Sequence, residues 1–164
     1  RIYQLTWQEK TCVVYKKKTI KPIGKYNYRG EGWGLADDGK VLYMSDGTSS
    51  IRVLDPNFKI KKRLRVKDGR RSVDKLNELE FFDGFLYANV WYEDVIAKID
   101  PKTGKVVAWL DCSRVYPTRR NREHVLNGIA HDAKSGKIYI TGKNWPRLYE
   151  IKIEDDADAD KGEK

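Results

Sequence analysis

The sequence predicts an all-β fold, and three features lead to that prediction. Short runs rich in β-branched and aromatic residues alternate with turn residues along the chain. Asp-Gly or Asp-Pro pairs separate many of these runs, and such pairs favour the tight turns that join antiparallel strands. The same strand-turn-strand pattern also recurs along the chain, which indicates a repeat.

The repeat unit is clearest at residues 76–91, which form a strand, an Asp-Gly turn at 83–84 and a second strand ending at Trp91. The tyrosines of the second strands recur at intervals of 40, 44 and 52 residues; they are Tyr3, Tyr43, Tyr87 and Tyr139. A period in this range with four strands per unit is typical of a β-propeller. Each blade of a propeller is a twisted sheet whose faces are covered by the neighbouring blades. We therefore predict a β-propeller.

Each strand is predicted from a short run between two turn signals. In the first copy, residues 21–28, with Pro22 and Gly24, fit a loop that leads into a short outer strand. A polar segment at 116–123 could hold a helical turn. The other predicted strands and strand entries are 2–7 and 11–15; 30–36, 41–45, 50–54 and 59–66; 77–91 around the turn at 83–84, 95–99 and 106–110; and 126–132, 138–142 and 147–153.

The first copy begins at its second strand and has no counterpart of residues 30–36. We therefore predict three complete units and part of a fourth, about three and a half to four blades, within residues 1–153. An N-terminal portion of the propeller is expected to be absent from this sequence. Residues 154–164 are acidic and lack a hydrophobic period, so they are predicted to form a disordered tail.

The chain is basic, with a formal net charge of +9. A nucleic acid or an anionic surface could bind such a chain. The basic residues nevertheless form short separate runs beside turns and strand ends, at 16–18, 61–63, 70–71 and 119–120. This distribution favours solvated strand edges, so we predict no nucleic-acid partner. No run of about 18 apolar residues is present, and we predict no membrane partner.

Several kinds of catalytic or metal site are disfavoured. His124 and His131 have no Ser, Cys or acid at a nucleophile or zinc-ligand spacing, which disfavours serine and cysteine hydrolases. Cys12 and Cys112 fit no metal-ligand spacing; they could pair as a disulfide or act as small buried hydrophobes. We predict no metal and no cofactor. A structural calcium is left open, but no motif supports it, because the turn at 100–105 lacks the alternating oxygens of a calcium loop.

The turns at one end of the predicted blades carry the candidate site. In a propeller, the turns that enter and leave the inner strands form one mouth of the central channel. Trp7, Trp33 and Trp91 could wall a pocket there, and indoles suit a ligand with an amine and an amide, because their faces attract cations and their N–H groups bind carbonyls. Lys143 could stabilise an oxyanion or anchor a carboxylate. The alternatives are packing between blades for the tryptophans, a turn role for Asn77 and a solvated Lys143.

Eight motifs occur in order along the chain: QLTW at 4–7, GWGL at 32–35, SDGTS at 45–49, LNELE at 76–80, YANVW at 87–91, IDP at 99–101, LNGIA at 126–130 and ITGKNWP at 140–146. Together they resemble the plant and bacterial type of glutaminyl-peptide cyclotransferase, a family of five-bladed propellers. The resemblance extends over residues 2–153. It implies an acyltransferase that converts an N-terminal glutamine of a peptide or protein to pyroglutamate and releases ammonia.

The resemblance also implies roles for individual residues. Trp7, Trp33 and Trp91 match the family's aromatic pocket, which would enclose the side chain and amine of the substrate. Asn77 would orient the amide, and Lys143 would support the oxyanion or a hydrogen-bond network around it.

The chain departs from the family pattern upstream of these motifs. The family's proposed proton-shuttling glutamate, in a Glu-Gly-Leu-Thr-like motif, and its Phe-Thr-Gln-Gly motif both precede the region that starts at Arg1. Glu31 is not a convincing substitute, because it lies in the entry of the next blade. Glu78 is the one acid beside the pocket residues and is a candidate to share the proton transfer. Residues 1–164 alone are therefore expected to be inactive, or nearly so.

An alternative function belongs to a different class. A non-catalytic propeller could recognise an amine through the tryptophan-lined mouth of its channel without performing chemistry. The resemblance favours the enzyme, and it further implies a secreted or periplasmic protein that is a monomer when complete.

Overall fold

A computed structural model describes residues 1–116 and 123–154, which contain β-strands and no helix. The strands are β1 (Ile2–Leu5), β2 (Thr11–Lys16), β3 (Lys21–Asn27), β4 (Leu35–Asp37), β5 (Leu42–Met44), β6 (Ser50–Leu54), β7 (Ile60–Arg65), β8 (Lys67–Asp68), β9 (Arg71–Ser72), β10 (Leu76–Phe82), β11 (Phe85–Val90), β12 (Val95–Ile99), β13 (Val106–Asp111), β14 (Leu126–Asp132), β15 (Lys137–Gly142) and β16 (Tyr149–Ile151). In this described part of the chain, no helix is available to cross a membrane.

The strands form four antiparallel meanders in chain order. Blade 1 is β1-β2-β3, blade 2 is β4-β5-β6-β7, blade 3 is β10-β11-β12-β13 and blade 4 is β14-β15-β16. A two-stranded ribbon, β8-β9, connects blades 2 and 3. Each strand pairs with the next one in sequence, as expected when short turns join the strands. The predicted all-β repeat is thus confirmed.

The hairpin at Asp83-Gly84 shows how a local signal sets the register. Phe82 pairs with Phe85, so the turn has two residues. Both have positive φ, 50° at Asp83 and 79° at Gly84. This is the type I′ geometry, which matches the twist of the flanking strands and which Asp-Gly adopts readily. The turn was predicted from this dipeptide.

The blades stack through three hydrophobic cores, one at each junction between consecutive blades. Strand β5 shows the alternation that builds them, because Leu42 and Met44 enter the core shared with blade 1 whereas Tyr43 enters the core shared with blade 3. Residues such as Phe82, Tyr87 and Leu126 form the core between blades 3 and 4. Both faces of blades 2 and 3 are therefore covered, which confirms the predicted propeller arrangement.

The segment at residues 21–28 was predicted as a loop that leads into a short outer strand, and the outer strand is present but already begins at Lys21. It forms the seven-residue strand β3 at the outer edge of blade 1, and Pro22 pairs with Tyr15 there. Proline is tolerated because the strand has a free edge and because a bulge interrupts the ladder between Val14 and Tyr15. The Pro and Gly signals therefore marked an edge strand.

Two further differences concern the extent of the repeat. The last copy was predicted to be complete, but blade 4 has three strands within the described residues, which end at residue 154. The β8-β9 ribbon was not predicted. Strand β1 pairs with β2 alone among the described strands, and its place as the second strand of a blade stays a prediction. Most of the predicted helical turn at 116–123, and the tail at 155–164, lie outside the described residues.

The two cysteines act as small buried hydrophobes. Cys12 and Cys112 are free and buried, and they belong to different cores. Burial raises the pKa of each thiol to about 11, so both remain protonated at neutral pH. Of the two alternatives left open by the sequence, the structure selects the unpaired thiols.

The basic runs lie at exposed positions. Residues 16–18, 61–63 and 70–71 are all exposed, and 61–63 lie on the outermost strand of blade 2. The run at 119–120 lies outside the described residues. A cleft of about 820 Å³ between the outer parts of blades 2 and 3 is lined by Lys62 and Arg63 of one run and by further cations such as Arg65 and Lys105.

Candidate functional site

Bulges at the start of the inner strands position one set of polar residues. The ladder of β10 shifts register between Leu76 and Leu79, and the ladder of β14 shifts between Leu126 and Gly128. These bulges occur at Asn77 and Asn127, and bulges commonly redirect a side chain at functional sites. Trp33 takes the matching position before β4. Trp33, Asn77 and Asn127 thus lie at or just before the start of three successive inner strands.

The residues that follow the second strands form the other half of the site. Trp7, Gly47, Trp91 and Lys143 each lie four residues after a repeated tyrosine. Gly47 has a φ of 80°, and a Cβ atom there would overlap the indole ring of Trp33. The glycine therefore both makes the turn and leaves room for Trp33 to lie against the backbone.

The three predicted tryptophans are brought into one cluster, which we call the tryptophan wall (Trp7, Trp33 and Trp91). The rings of Trp33 and Trp91 meet edge to face, with centroids 4.6 Å apart and planes at 79°. Tyr92 stacks on the other side of Trp91 at 4.9 Å. Trp7 is 56% exposed, whereas Trp33 and Trp91 are partly buried. Edge-to-face contacts of this kind favour a defined ring geometry.

Glu31 joins Trp7 to Trp33. The indole Nε1–H of each tryptophan donates a hydrogen bond of 2.7 Å to the same carboxylate oxygen, Glu31 Oε2. The bonds from Trp33 and Trp7 lower the pKa of the Glu31 carboxyl below its usual value, so it is ionised at neutral pH. The sequence did not place Glu31 in the pocket. The sequence spacing between Glu31 and Trp33 does not indicate a contact between Glu31 and Trp7. That contact depends on how blades 1 and 2 pack together.

Asn77 is buried, with 7% of its surface exposed, and its backbone is fixed by blade 2. Its carbonyl accepts a hydrogen bond of 2.6 Å from the hydroxyl of Ser45, which itself accepts one of 2.8 Å from the Gly34 N–H. The backbone carbonyl of Ser45 accepts the N–H of Trp33 at 3.2 Å. One serine thus positions both Asn77 and Trp33.

Glu78 lies in β10 and Lys143 directly follows β15, and among the described residues neither has a hydrogen bond or ring contact to the tryptophan wall. Lys143 is exposed, and its backbone N–H donates to the carbonyl of Val125 at 2.8 Å. Glu78 is partly buried. Burial, opposed by a hydrogen bond from the Leu79 backbone and reinforced by the charge of Glu80, raises the pKa of Glu78 to about 7. A carboxyl group with that pKa can donate or accept a proton at neutral pH.

No group of three or more His, Cys, Asp or Glu side chains among the described residues is arranged to hold a metal ion. The described residues therefore offer no candidate set of ligands for a structural calcium.

Comparisons with known proteins agree with this geometry. The family model for glutamine cyclotransferase matches residues 1–153. The chain belongs to the glutamine cyclotransferase family. A glutaminyl-peptide cyclotransferase from Arabidopsis thaliana is 38% identical over 159 residues, covering 93% of this chain and 50% of the relative. The crystal structure of Myxococcus xanthus glutaminyl cyclase matches with a TM-score of 0.86 and 39% identity, covering 92% of this chain and 67% of that one.

These comparisons confirm the resemblance read from the eight motifs. The chain spans about half the length of the curated relative from Arabidopsis. The tryptophan wall, Glu31 and Asn77 all lie within the region matched by the glutamine cyclotransferase family.

Proposed function

We propose that the protein is a glutaminyl-peptide cyclotransferase, an acyltransferase that converts the N-terminal glutamine of a peptide or protein to pyroglutamate. The observation that carries this proposal is the tryptophan wall, assembled from three blades of a glutamine cyclotransferase family member. Three indoles at one site offer ring faces for an amine, whereas the Nε1–H groups of Trp7 and Trp33 are already donated to Glu31. The ring faces suit the α-amine of a substrate, and the side-chain amide of Asn77 offers a partner for its carboxamide.

The reaction needs no second substrate. The neutral α-amine attacks the γ-carboxamide carbon and forms a C–N bond, and the tetrahedral intermediate then expels its amide nitrogen as ammonia. One proton moves from the attacking nitrogen to the leaving nitrogen. Because the step is intramolecular, the protein mainly has to hold the bent conformer, stabilise the oxyanion and move that proton.

The described residues supply parts of this machinery. The tryptophan wall would enclose the substrate's side chain and amine, Asn77 would orient the carboxamide, and Lys143 would support the developing oxyanion. Glu78 is a candidate for the proton transfer, supported by its partial burial and its raised pKa. The family's proton-shuttling glutamate has no match in residues 1–164, so we propose that this segment alone has little or no activity.

The proposal extends to the setting of the enzyme. The partners would be peptides or proteins that begin with glutamine, and neither a nucleic acid nor a membrane would be required. The complete protein would be a monomer, secreted or periplasmic, without a cofactor or a catalytic metal.

Ammonia release tests the proposal. The protein, expressed at the full length of its reading frame, is incubated with a peptide that begins with glutamine. Ammonia is measured by a coupled assay and pyroglutamate by mass spectrometry. The matched control peptide carries an acetylated N-terminal glutamine, which cannot cyclise through its amine. We expect ammonia from the free peptide alone. A folded protein that binds the free peptide but releases no ammonia would instead support the amine-binding module.

A further inference from the structure

We propose that Glu31 is a positioning residue that holds Trp7 and Trp33 in a fixed relative orientation across the junction of blades 1 and 2. The two indoles come from different blades, since Trp7 follows β1 and Trp33 precedes β4. Both donate to Glu31 Oε2 at 2.7 Å. The effect of this positioning on catalysis rests on the proposed function, whereas its effect on the orientation of the two indoles does not.

The backbone beside Glu31 is also attached to blade 1. The N–H of Gly32 donates to the carbonyl of Trp7 at 3.3 Å. A Cβ atom at Gly32 would overlap the ring of Tyr28, whose hydroxyl donates to the carbonyl of Thr6. The Glu31-Gly32 segment therefore lies close against the end of β1, so its carboxylate can reach both indoles.

The two tryptophans depend on Glu31 to different degrees. Trp33 is also held by Trp91 and by the space at Gly47. Within the described residues Trp7 is 56% exposed, so packing restricts its ring less than that of Trp33. Hydrogen bonds to an ionised acceptor are shorter and stronger than neutral ones, so the carboxylate can restrict a ring that packing does not. Loss of Glu31 should therefore release Trp7 more than Trp33.

A tryptophan wall with a mobile Trp7 should bind the substrate and the transition state less tightly to a similar degree. Glu31 acts through the indoles rather than on the reacting atoms, so its removal should raise KM more than it lowers kcat. An amide oxygen can accept two hydrogen bonds as a carboxylate oxygen does. Glu31→Gln should therefore retain much of the geometry that Glu31→Ala loses.

Indole resonances test the geometric part directly. In ¹⁵N-labelled protein of full length, the Nε1–H signals of Trp7 and Trp33 are assigned with Trp7→Phe and Trp33→Phe. We expect the chemical shifts of both indole signals to change in Glu31→Ala, and that of Trp7 to change more. In Glu31→Gln both chemical shifts should stay closer to the parental values. Glu93→Ala is the matched control, because it removes an exposed acid two residues after Trp91. Parental signals for both indoles in Glu31→Ala would overturn the proposal.

Kinetics test the catalytic part. We expect kcat/KM for a glutamine-terminated peptide to fall about tenfold in Glu31→Ala, mainly through KM, and to recover to within about threefold of the parent in Glu31→Gln. Glu93→Ala should match the parent. A Glu31→Gln variant as impaired as Glu31→Ala would overturn the positioning role. If the parent releases no ammonia while the indole signals respond as expected, the positioning role stands and the proposed function fails.

Discussion

The hydroxyl of Ser45 donates a 2.6 Å hydrogen bond to the backbone carbonyl of Asn77 across the junction of blades 2 and 3. Ser45 is fully buried, and its Oγ also accepts the N–H of Gly34. A single side chain thus satisfies backbone groups from two inner strands at the level of the candidate site.

Ser45→Ala should destabilise the protein, because it leaves the buried N–H of Gly34 and one acceptor position on Asn77 without a partner. We expect a loss of about 1–3 kcal/mol in the free energy of unfolding, measured by urea denaturation. The control is Ser72→Ala, at an exposed position in β9, which should change stability by less than about 0.5 kcal/mol. Equal midpoints for the two variants would show that the Ser45 bond contributes nothing.

Gly34→Ala should be strongly destabilising, because its Cβ atom would overlap the carbonyl of Asn77 and the Cα atom of Glu78. Both obstacles belong to the backbone and cannot rotate away, so we expect a loss of about 2–4 kcal/mol. Gly24→Ala is the matched control, since a Cβ atom at Gly24 would meet nothing within 4 Å and the φ of this residue is ordinary. Thermal melts that fall equally for both variants would contradict this packing.

Glu78 should make stability depend on pH. Its pKa is raised by burial to about 7 in the folded state, whereas an exposed glutamate titrates near 4.3. A raised pKa means that the folded state favours the protonated form of Glu78. The stability that protonated Glu78 contributes is therefore present at low pH and is lost as the pH rises from about 4.3 through 7. Glu78→Gln should therefore gain stability relative to the parent over this range, by up to about 3 kcal/mol.

Urea denaturation at several pH values measures this difference. Glu93→Gln, at an exposed position, serves as the control and should follow the parent at each pH. A constant offset between the parent and Glu78→Gln from pH 4 to pH 8 would contradict the burial of the Glu78 carboxylate.

The thiols of Cys12 and Cys112 should be unreactive in the folded protein. Both are buried and protonated at neutral pH, because their pKa values are raised to about 11, and they lie in different cores. We expect iodoacetamide to label them only after unfolding, and a reductant to leave the melting temperature unchanged. Mass spectrometry of the two cysteine peptides measures the labelling. Recovery of a peptide pair linked by a disulfide would contradict the structure.

The sequence predicted the parts of the fold that depend on local signals. Asp83-Gly84 predicted the two-residue turn between β10 and β11, and the repeated tyrosines indicated which strands correspond between blades. The outer strand β3 was predicted, but Pro22 made its start appear too late, because a proline signals a loop unless it lies at a sheet edge.

The candidate site also has features that local sequence predicts and features that depend on how the blades pack. The tryptophans could be proposed as candidates because Trp7 and Trp91 each follow a second strand and Trp33 precedes an inner strand. The role of Glu31 could not be predicted, since its bond to Trp7 depends on the angle and distance between two blades. The raised pKa of Glu78 likewise could not be predicted, because it depends on burial that the local sequence does not indicate.

The activity of Trp91→Ala tests the central claim most directly. This variant removes the ring that packs against Trp33. Trp109→Ala removes a tryptophan that is 41% exposed on the outermost strand of blade 3. With the full-length protein and a glutamine-terminated peptide, we expect kcat/KM to fall about 30-fold or more in Trp91→Ala and to stay near the parental value in Trp109→Ala. Parental activity in a folded Trp91→Ala variant would contradict a ligand site at the tryptophan wall.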